Sequence, residues 1–218
     1  MDRCILLLAP NDDVYPNGSA NSSLTPATYA SARVITIGNA GTLLATADNT
    51  DTETDKVKNV LGNSTTPFVA SYELTAQNEG VKIKDLQINV AGADAASFVN
   101  AVSEVILVKG DKTTEIARKS VTTTTVAFDA INYVVAEGTE NVYVKLVTRK
   151  IGKDEAGKQT GDITLALQAT SVEGAASNKV VVAPAATAAS NAFAVLPVRV
   201  SNVALVNSAN SQSVASTL

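Results

Sequence analysis

Histidine and tryptophan are absent from the 218 residues, and cysteine and methionine occur once each. The missing histidine excludes more than any motif present suggests. Its imidazole is the usual general base near neutral pH and the commonest metal ligand. Without it, Ser-His-Asp and Cys-His nucleophile systems, most zinc sites and haem ligation are closed. The lone Cys4 excludes an internal disulfide framework, so the fold rests on its own core. Aromatic residues make up 4% of a chain that is 45% hydrophobic, which leaves alanine and valine to supply most of that core.

Other classes fall on charge and run length. The net charge is -4, with 17 Lys+Arg against 21 Asp+Glu, and no basic block offers the aromatic-studded positive face that nucleic acid requires. No stretch approaches the ~20 apolar residues of a membrane span. Asp2 and Arg3 precede a short apolar run, Cys4 to Ala9, and Pro10, Asn11, Asp12 and Asp13 follow. That run is too short for a secretory signal, so either a signal has been removed or the natural start lies elsewhere. Scarce Cys, Met, His and Trp beside abundant Thr, Ser and Asn is a composition common in exported surface proteins.

What is present is alternation. Residues 11–31 are polar and without hydrophobic period, which reads as a linker. Val34 to Ile37 then begins a period of two, and Leu43, Ala45 and Ala47 continue it. In the clearest strand Phe68, Ala70, Tyr72, Leu74 and Ala76 face one way, and Val69, Ser71, Glu73 and Thr75 the other, as a sheet with one dry and one wet face requires. Gln77 to Gly80 reads as a turn with Gly80 at positive φ, and Val81 and Ile83 return inward. After Asp85 the apolar set shifts to Leu86, Ile88 and Val90, the mark of a β-bulge or a strand passing between sheets.

Asp94 to Ala101 suits one or two helical turns. Val105 to Val108 and Glu115 to Val121 read as a hairpin. Val126 and Phe128 alternate, and a second slip near Ala130 leads to Ile131, Tyr133 and Val135. Glu137-Gly138 turns into Val142, Val144 and Leu146. The loop 150–161 precedes Ile163, Leu165, Leu167 and Ala169. Val180 to Val182 gives a short strand, Ala183 to Ala192 a flexible small-residue tether, and Phe193 to Val206 a last apolar run. About ten short strands with turns every ~8–12 residues predict an all-β sandwich, immunoglobulin-like or jelly-roll, with mobile ends. The expected division is 1–31 as an apolar segment plus linker, 32–206 as one sandwich domain, and 207–218 as a polar tail.

The stretch Phe68 to Leu86, with Thr122 to Val135 and the closing Phe193-Ala-Val-Leu-Pro-Val-Arg-Val-Ser, resembles the repeated β-sandwich modules of bacterial cell-surface and S-layer-like proteins, particularly from candidate-phylum bacteria. The resemblance covers roughly residues 33 to 206 and rests on strand grammar. It implies an extracellular structural or adhesive module with no catalytic residues. Such modules usually stand in long multi-repeat chains. A single module that builds a surface must polymerise.

Four sets of residues are candidates for function. Cys4, Ile5, Leu6, Leu7 and Leu8 at one end, and Phe193, Val195, Leu196, Val198 and Val200 at the other, are apolar segments on tethers. A strand apolar on both faces belongs under cover, and on a loose end it suits addition to a neighbour's sheet, a contact that propagates as a fibre. The competing arrangement packs both ends on their own domain. Asp48, Asp51, Glu53 and Asp55 crowd a loop where carboxylates could hold calcium, although their spacing is not that of an EF-hand and such loops are often simply solvated. Asn17, Asn21 and Asn63 head formal N-glycosylation sequons. Lys150, Lys153 and Lys158 mark a charged tip on what reads as a hairpin loop, with Asp154 and Glu155 beside them. A carboxylate pair for glycoside hydrolysis needs only two Asp or Glu. Sugar sites also use aromatic faces, though, and Tyr15, Tyr29, Tyr72, Tyr133 and Tyr143 are not clustered.

The sequence therefore predicts a non-enzyme: an extracellular, self-assembling subunit of a pilus-like surface filament, built by donor-strand exchange between copies. The alternatives are an S-layer lattice subunit or an adhesive, glycan-binding module. Its partner is expected to be itself, with a surface glycan in the last case, and no cofactor beyond a calcium ion is called for.

Overall fold

Strands that alternate apolar and polar residues must stack their apolar faces, and two sheets do so here. The computed structural model describes residues 41–57, 59–152 and 155–197, which form one compact unit beginning at Gly41. Both expected domain limits, at 32 and 206, lie outside the described residues. The first sheet has five antiparallel strands: β1 (Thr42–Ala47), β3 (Ala70–Gln77), β9 (Gly138–Thr148), β5 (Val102–Lys109) and β6 (Glu115–Ser120), in the order β1-β3-β9-β5-β6. The second runs β10 (Thr164–Gly174), β4 (Val81–Ala91), β7 (Thr125–Phe128), with β8 (Tyr133–Val135) also on β4. A parallel pair, β2 (Asn59–Leu61) and β11 (Ala194–Leu196), completes the strands.

The inward residues of both sheets belong to a single cluster. Leu74, Val105, Leu107, Val144 and Leu146 of the first sheet meet Ile83, Ile88, Phe128, Leu165 and Leu167 of the second. The fold is thus an all-β sandwich of immunoglobulin-like character, as the alternation requires. Each leucine or isoleucine fully buried there favours folding by about 1.5–3 kcal/mol relative to exposure.

The slip at Asp85 is a bulge shared by two strands. Ile83 pairs with Val172, Asp85 with Ser171 and Leu86 with Ala169, so Lys84 and Thr170 are each skipped and both strands change phase together. β4's other neighbour breaks at the same level. β7 ends with Phe128 opposite Leu86, and β8 resumes with Tyr133 opposite Ile83. Ala130 (φ 54°) and Asn132 (φ 50°) turn the chain between them through left-handed backbone, at a cost of about 1 kcal/mol for the alanine. Asp85 Oδ1 accepts the Ala130 N–H at 2.8 Å, and the Lys84 carbonyl accepts the Ile131 N–H at 2.8 Å. The bulge and the second slip near Ala130 are one structural event.

The helical turns fall where expected: a 3-10 turn at Ala95–Ser97, then α1 (Phe98–Ala101), which drives Phe98 into the core. Three local readings are corrected. Asn78, not Gly80, takes the positive φ (71°) of the β3–β4 turn. Val69 takes the inner position before β3, while Phe68 packs on the outer face of the first sheet, 4.8 Å from the Tyr143 ring. The loop 150–161 joins β9 to β10 and so passes from one sheet to the other rather than tipping a hairpin.

Two glycines separate backbone strain from lack of space. Gly92 (φ +115°) would place a Cβ 2.6 Å from the Asp162 carbonyl oxygen, whereas Gly138 (φ +119°) has nothing within 4 Å of that position. Gly138→Ala should cost about 1–2 kcal/mol through strain alone. Gly92→Ala should cost about 3 kcal/mol or more, because a backbone clash adds to it. Denaturant midpoints measure both, and equal losses would contradict the assignment.

Candidate functional site: the strapped edge of the second sheet

β10 ends its sheet, so one side of it would present unpaired main-chain groups. Residues 179–193 run along that side as a strap, most of it outside any regular strand. Its ends use ordinary main-chain bonds. The Val181 N–H donates to the Val172 carbonyl at 3.0 Å, and Ile163 and Phe193 exchange bonds of 2.9 and 3.0 Å. Its centre does not. Thr187 N–H donates to the Leu167 carbonyl (2.8 Å), and the Leu167 N–H donates to Thr187 Oγ1 (3.0 Å). Ser190 repeats the pattern on Leu165, at 2.7 Å to the carbonyl and 3.0 Å from the amide. Each hydroxyl gives its own proton to a strap carbonyl, Ala188 at 2.9 Å and Asn191 at 3.0 Å, keeping a lone pair for the strand. Two threonine and serine hydroxyls thus replace the carbonyls of a missing strand.

Local chemistry explains this arrangement. Alanines between the hydroxyl residues let the strap lie close, and Thr187 and Ser190 turn inward at 8% and 6% exposure. The side chain of Asn49, in the turn after β1, donates to the Ala189 carbonyl (2.9 Å), and Asn191 returns a bond to the Asn49 carbonyl (2.8 Å). The segment expected to be a flexible tether is therefore bonded along β10, because buried amides beside Leu165 and Leu167 must find acceptors. The readable signal was the spacing Thr187, Ser190, Phe193, a period of three rather than two.

The C-terminal apolar segment belongs to the same arrangement. Phe193 and Val195 are fully buried, and Ala194, Val195 and Leu196 pair in parallel with Asn59, Val60 and Leu61. Phe193, Val195 and Leu196 are thus built into their own sandwich, a correction to their reading as a tethered end awaiting a neighbour. Once strand pairing is available within the chain, the apolar run has a closer partner. Cys4, Ile5, Leu6, Leu7, Leu8, Val198 and Val200 lie outside the described residues, as do Asn17, Asn21 and Lys153. Asn63 is exposed in a left-handed turn (φ 58°) after β2. Lys150 pairs with Glu155 at 2.6 Å, and Lys158 is exposed.

The acidic loop directs its carboxylates apart. Asp48 Oδ1 accepts the amide and hydroxyl of Thr50 at 3.1 and 2.9 Å. Asp51 accepts the Glu53 N–H (2.8 Å) and the Tyr143 hydroxyl (2.9 Å). Glu53 pairs with Lys112 at 3.0 Å, while Asp55 Oδ1 is buried with no partner among the described residues. Burial, then the contact with Asp51, raises the Tyr143 phenol above its ordinary pKa. No group of three or more His, Cys, Asp or Glu is placed to hold a metal ion among the described residues.

A carboxylate that sequence reading passed over secures the turn into the strap. Glu79 accepts the Ser177 hydroxyl (2.7 Å) and the amides of Ser177 (3.0 Å), Ala176 (3.2 Å) and Gly41 (3.3 Å). These bonds, the Ser177 hydroxyl foremost, hold its pKa below the ordinary 4.5. On the outer face of β10, Glu173 bridges Lys82 and Lys84, and its pKa is lowered too.

The fold and this edge define the chain as an immunoglobulin-like β-sandwich whose second sheet is closed by a strap. Set against known proteins, it matches no family model and no curated protein.

Because Glu79 titrates lower in the folded state than unfolded, its contribution is complete above about pH 4.5 and lost as the pH falls through the folded value. Glu79→Gln should therefore melt below the parent protein at neutral pH, and the gap should narrow as the pH falls below the ordinary carboxylate range and through the lowered folded value. Glu173, Glu115 and Asp111, also lowered, are common to both proteins and cancel in the difference. Paired thermal melts across that range provide the measurement; a gap independent of pH would rule out the charged clamp.

Proposed function

We propose that the chain is an extracellular structural subunit, without enzymatic activity, that associates with copies of itself into a surface filament by passing a terminal strand to a neighbour. The observation that carries this reading is how three of the four edges of the two sheets are managed. The β6 edge bears Glu115, Arg118 and Lys119, tied to Glu104 and Asp129. The β7–β8 edge is broken by left-handed residues, and the β10 edge is covered by a strap that is not a strand. Charges, breaks and covers of this kind guard a sheet against indiscriminate pairing. Only the cover can be exchanged without changing the sequence.

The composition supports the same role. Five buried hydroxyls, those of Thr66, Thr148, Thr160, Thr187 and Ser190, accept main-chain amides, and many outward polar groups bond one another. A second reading, an adhesive or glycan-binding module, has one favourable feature. On the outer face of the second sheet Gln87 donates to Gln168 (2.8 Å) and Thr125 to Asn89 (3.2 Å), forming a flat ladder of amides and hydroxyls. Those groups already bond each other, and no aromatic ring among them offers a sugar platform. A lattice subunit would share the self-association and differ in growing as sheets.

Deleting residues 1–10 should leave a folded protein, with unchanged circular dichroism, that remains monomeric by light scattering and forms no filaments in negative-stain micrographs. Filaments persisting after the deletion would remove the N-terminal segment from the mechanism.

A further inference from the structure

We propose that the β10 edge from Leu165 to Ala169, between the two end anchors, is the acceptor site for an incoming strand, and that strap residues 182–192 are a placeholder displaced by residues 4–8 of a second copy. The proposal rests on the self-assembly reading above and adds the place where assembly occurs.

The hydrogen bonding makes the exchange even-handed. Between its end anchors at Val181 and Phe193, the strap reaches β10 only through Thr187 and Ser190, each supplying one amide donor and one hydroxyl acceptor. An extended strand places an N–H and a carbonyl against the same Leu165 and Leu167 groups. No buried amide is left unbonded at the end of the exchange. The end anchors stay in place, so the released stretch becomes a surface loop and Phe193 keeps its place in the core.

The side chains favour the incoming strand. Thr187 and Ser190 are buried at 8% and 6% exposure, and the positions between them are small. Replacing a buried hydroxyl residue by isoleucine or leucine removes more apolar surface from water. Cys4 to Leu8 and Leu165 to Ala169 are of equal length, about 17 Å at ~3.3 Å per residue. An apolar segment needs the better-covered edge: along β10 the inward Leu165, Leu167 and Ala169 are fully buried and the outward Thr164, Ala166 and Gln168 half-buried, whereas the outward residues of β1 are open. On β1, Leu44 is 57% exposed, and Thr42 and Thr46 lie open beside it. The strap occupies the edge within the chain itself, so the donor is assigned to a second copy.

The test uses the full chain with a benzophenone amino acid at Leu6, illuminated after assembly and mapped by mass spectrometry. Intermolecular links from residue 6 to residues 161–169 are expected. Links to β1 or β6 would overturn this acceptor while leaving strand donation standing. Links confined to one chain would overturn the second-copy donor, and failure to assemble at all would overturn both readings. As a second measurement, the double variant Thr187→Val, Ser190→Ala removes both hydroxyl acceptors and loosens the strap. It should speed the initial rate of assembly about tenfold. An unchanged or slower rate in folded protein overturns the displacement step, and the link map decides the matter if the variant does not fold.

Discussion

The whole structure depends on one requirement: a main-chain amide removed from water must find an acceptor. Where the ladders are regular, neighbouring carbonyls supply it. Where they are not, this protein repeatedly uses a hydroxyl. Thr66 Oγ1 accepts the Leu146 amide (2.9 Å), Thr148 Oγ1 the Ser64 amide (3.0 Å) and Thr160 Oγ1 the Val195 amide (2.9 Å). Thr187 and Ser190 do the same for β10, and all five hydroxyl residues are buried. Asp85 and Glu79 play the carboxylate version at the bulge and at the turn into the strap. The threonine- and serine-rich composition is, in large part, a stock of acceptors for an irregular sheet.

That stock also accounts for what the chain lacks. A core poor in aromatic rings has little bulk with which to force strands into register, so register is set by paired bulges and by side-chain oxygens at fixed positions. The shared phase change of β4 and β10 is the clearest case. A slip in only one strand would turn its apolar residues to solvent, and the matched skips at Lys84 and Thr170 return both sets to the core. Histidine or cysteine would add reactivity to such a scaffold without improving its bonding.

The period-two pattern made most of the sandwich legible. β3, β4, β9 and β10 follow the alternation read from their residues, and the slips at Asp85 and Ala130 are where it breaks. What escaped notice depended on distance in the chain. The Asp51 carboxylate belongs to a structural contact because Tyr143 lies opposite it, and Glu53 because Lys112 does. Neither partner can be found from a loop's own sequence. The strap was missed because a segment that bonds every third residue through its side chains has neither helical nor strand period. Glu79 looked like a turn residue, and its partners at Ser177 and Gly41 come from opposite ends of the described fold.

The use of hydroxyls at β10 has a consequence that carbonyls would not. A strand held by a full ladder on both sides leaves only by breaking consecutive main-chain bonds while its apolar side chains leave the core. The strap's centre gives up its bonds to β10 at Thr187 and Ser190 and two exposed bonds to Asn49, and the hydroxyl residues released to water are readily solvated. Its ends differ in kind: Phe193 and Val195 are fully buried, and the entry turn is held by Glu79. Firm ends with a weakly committed centre confine any opening to one short length of edge. The β10 edge is thereby closed against chance pairing, and opening that one length would not require the unfolding of a sheet.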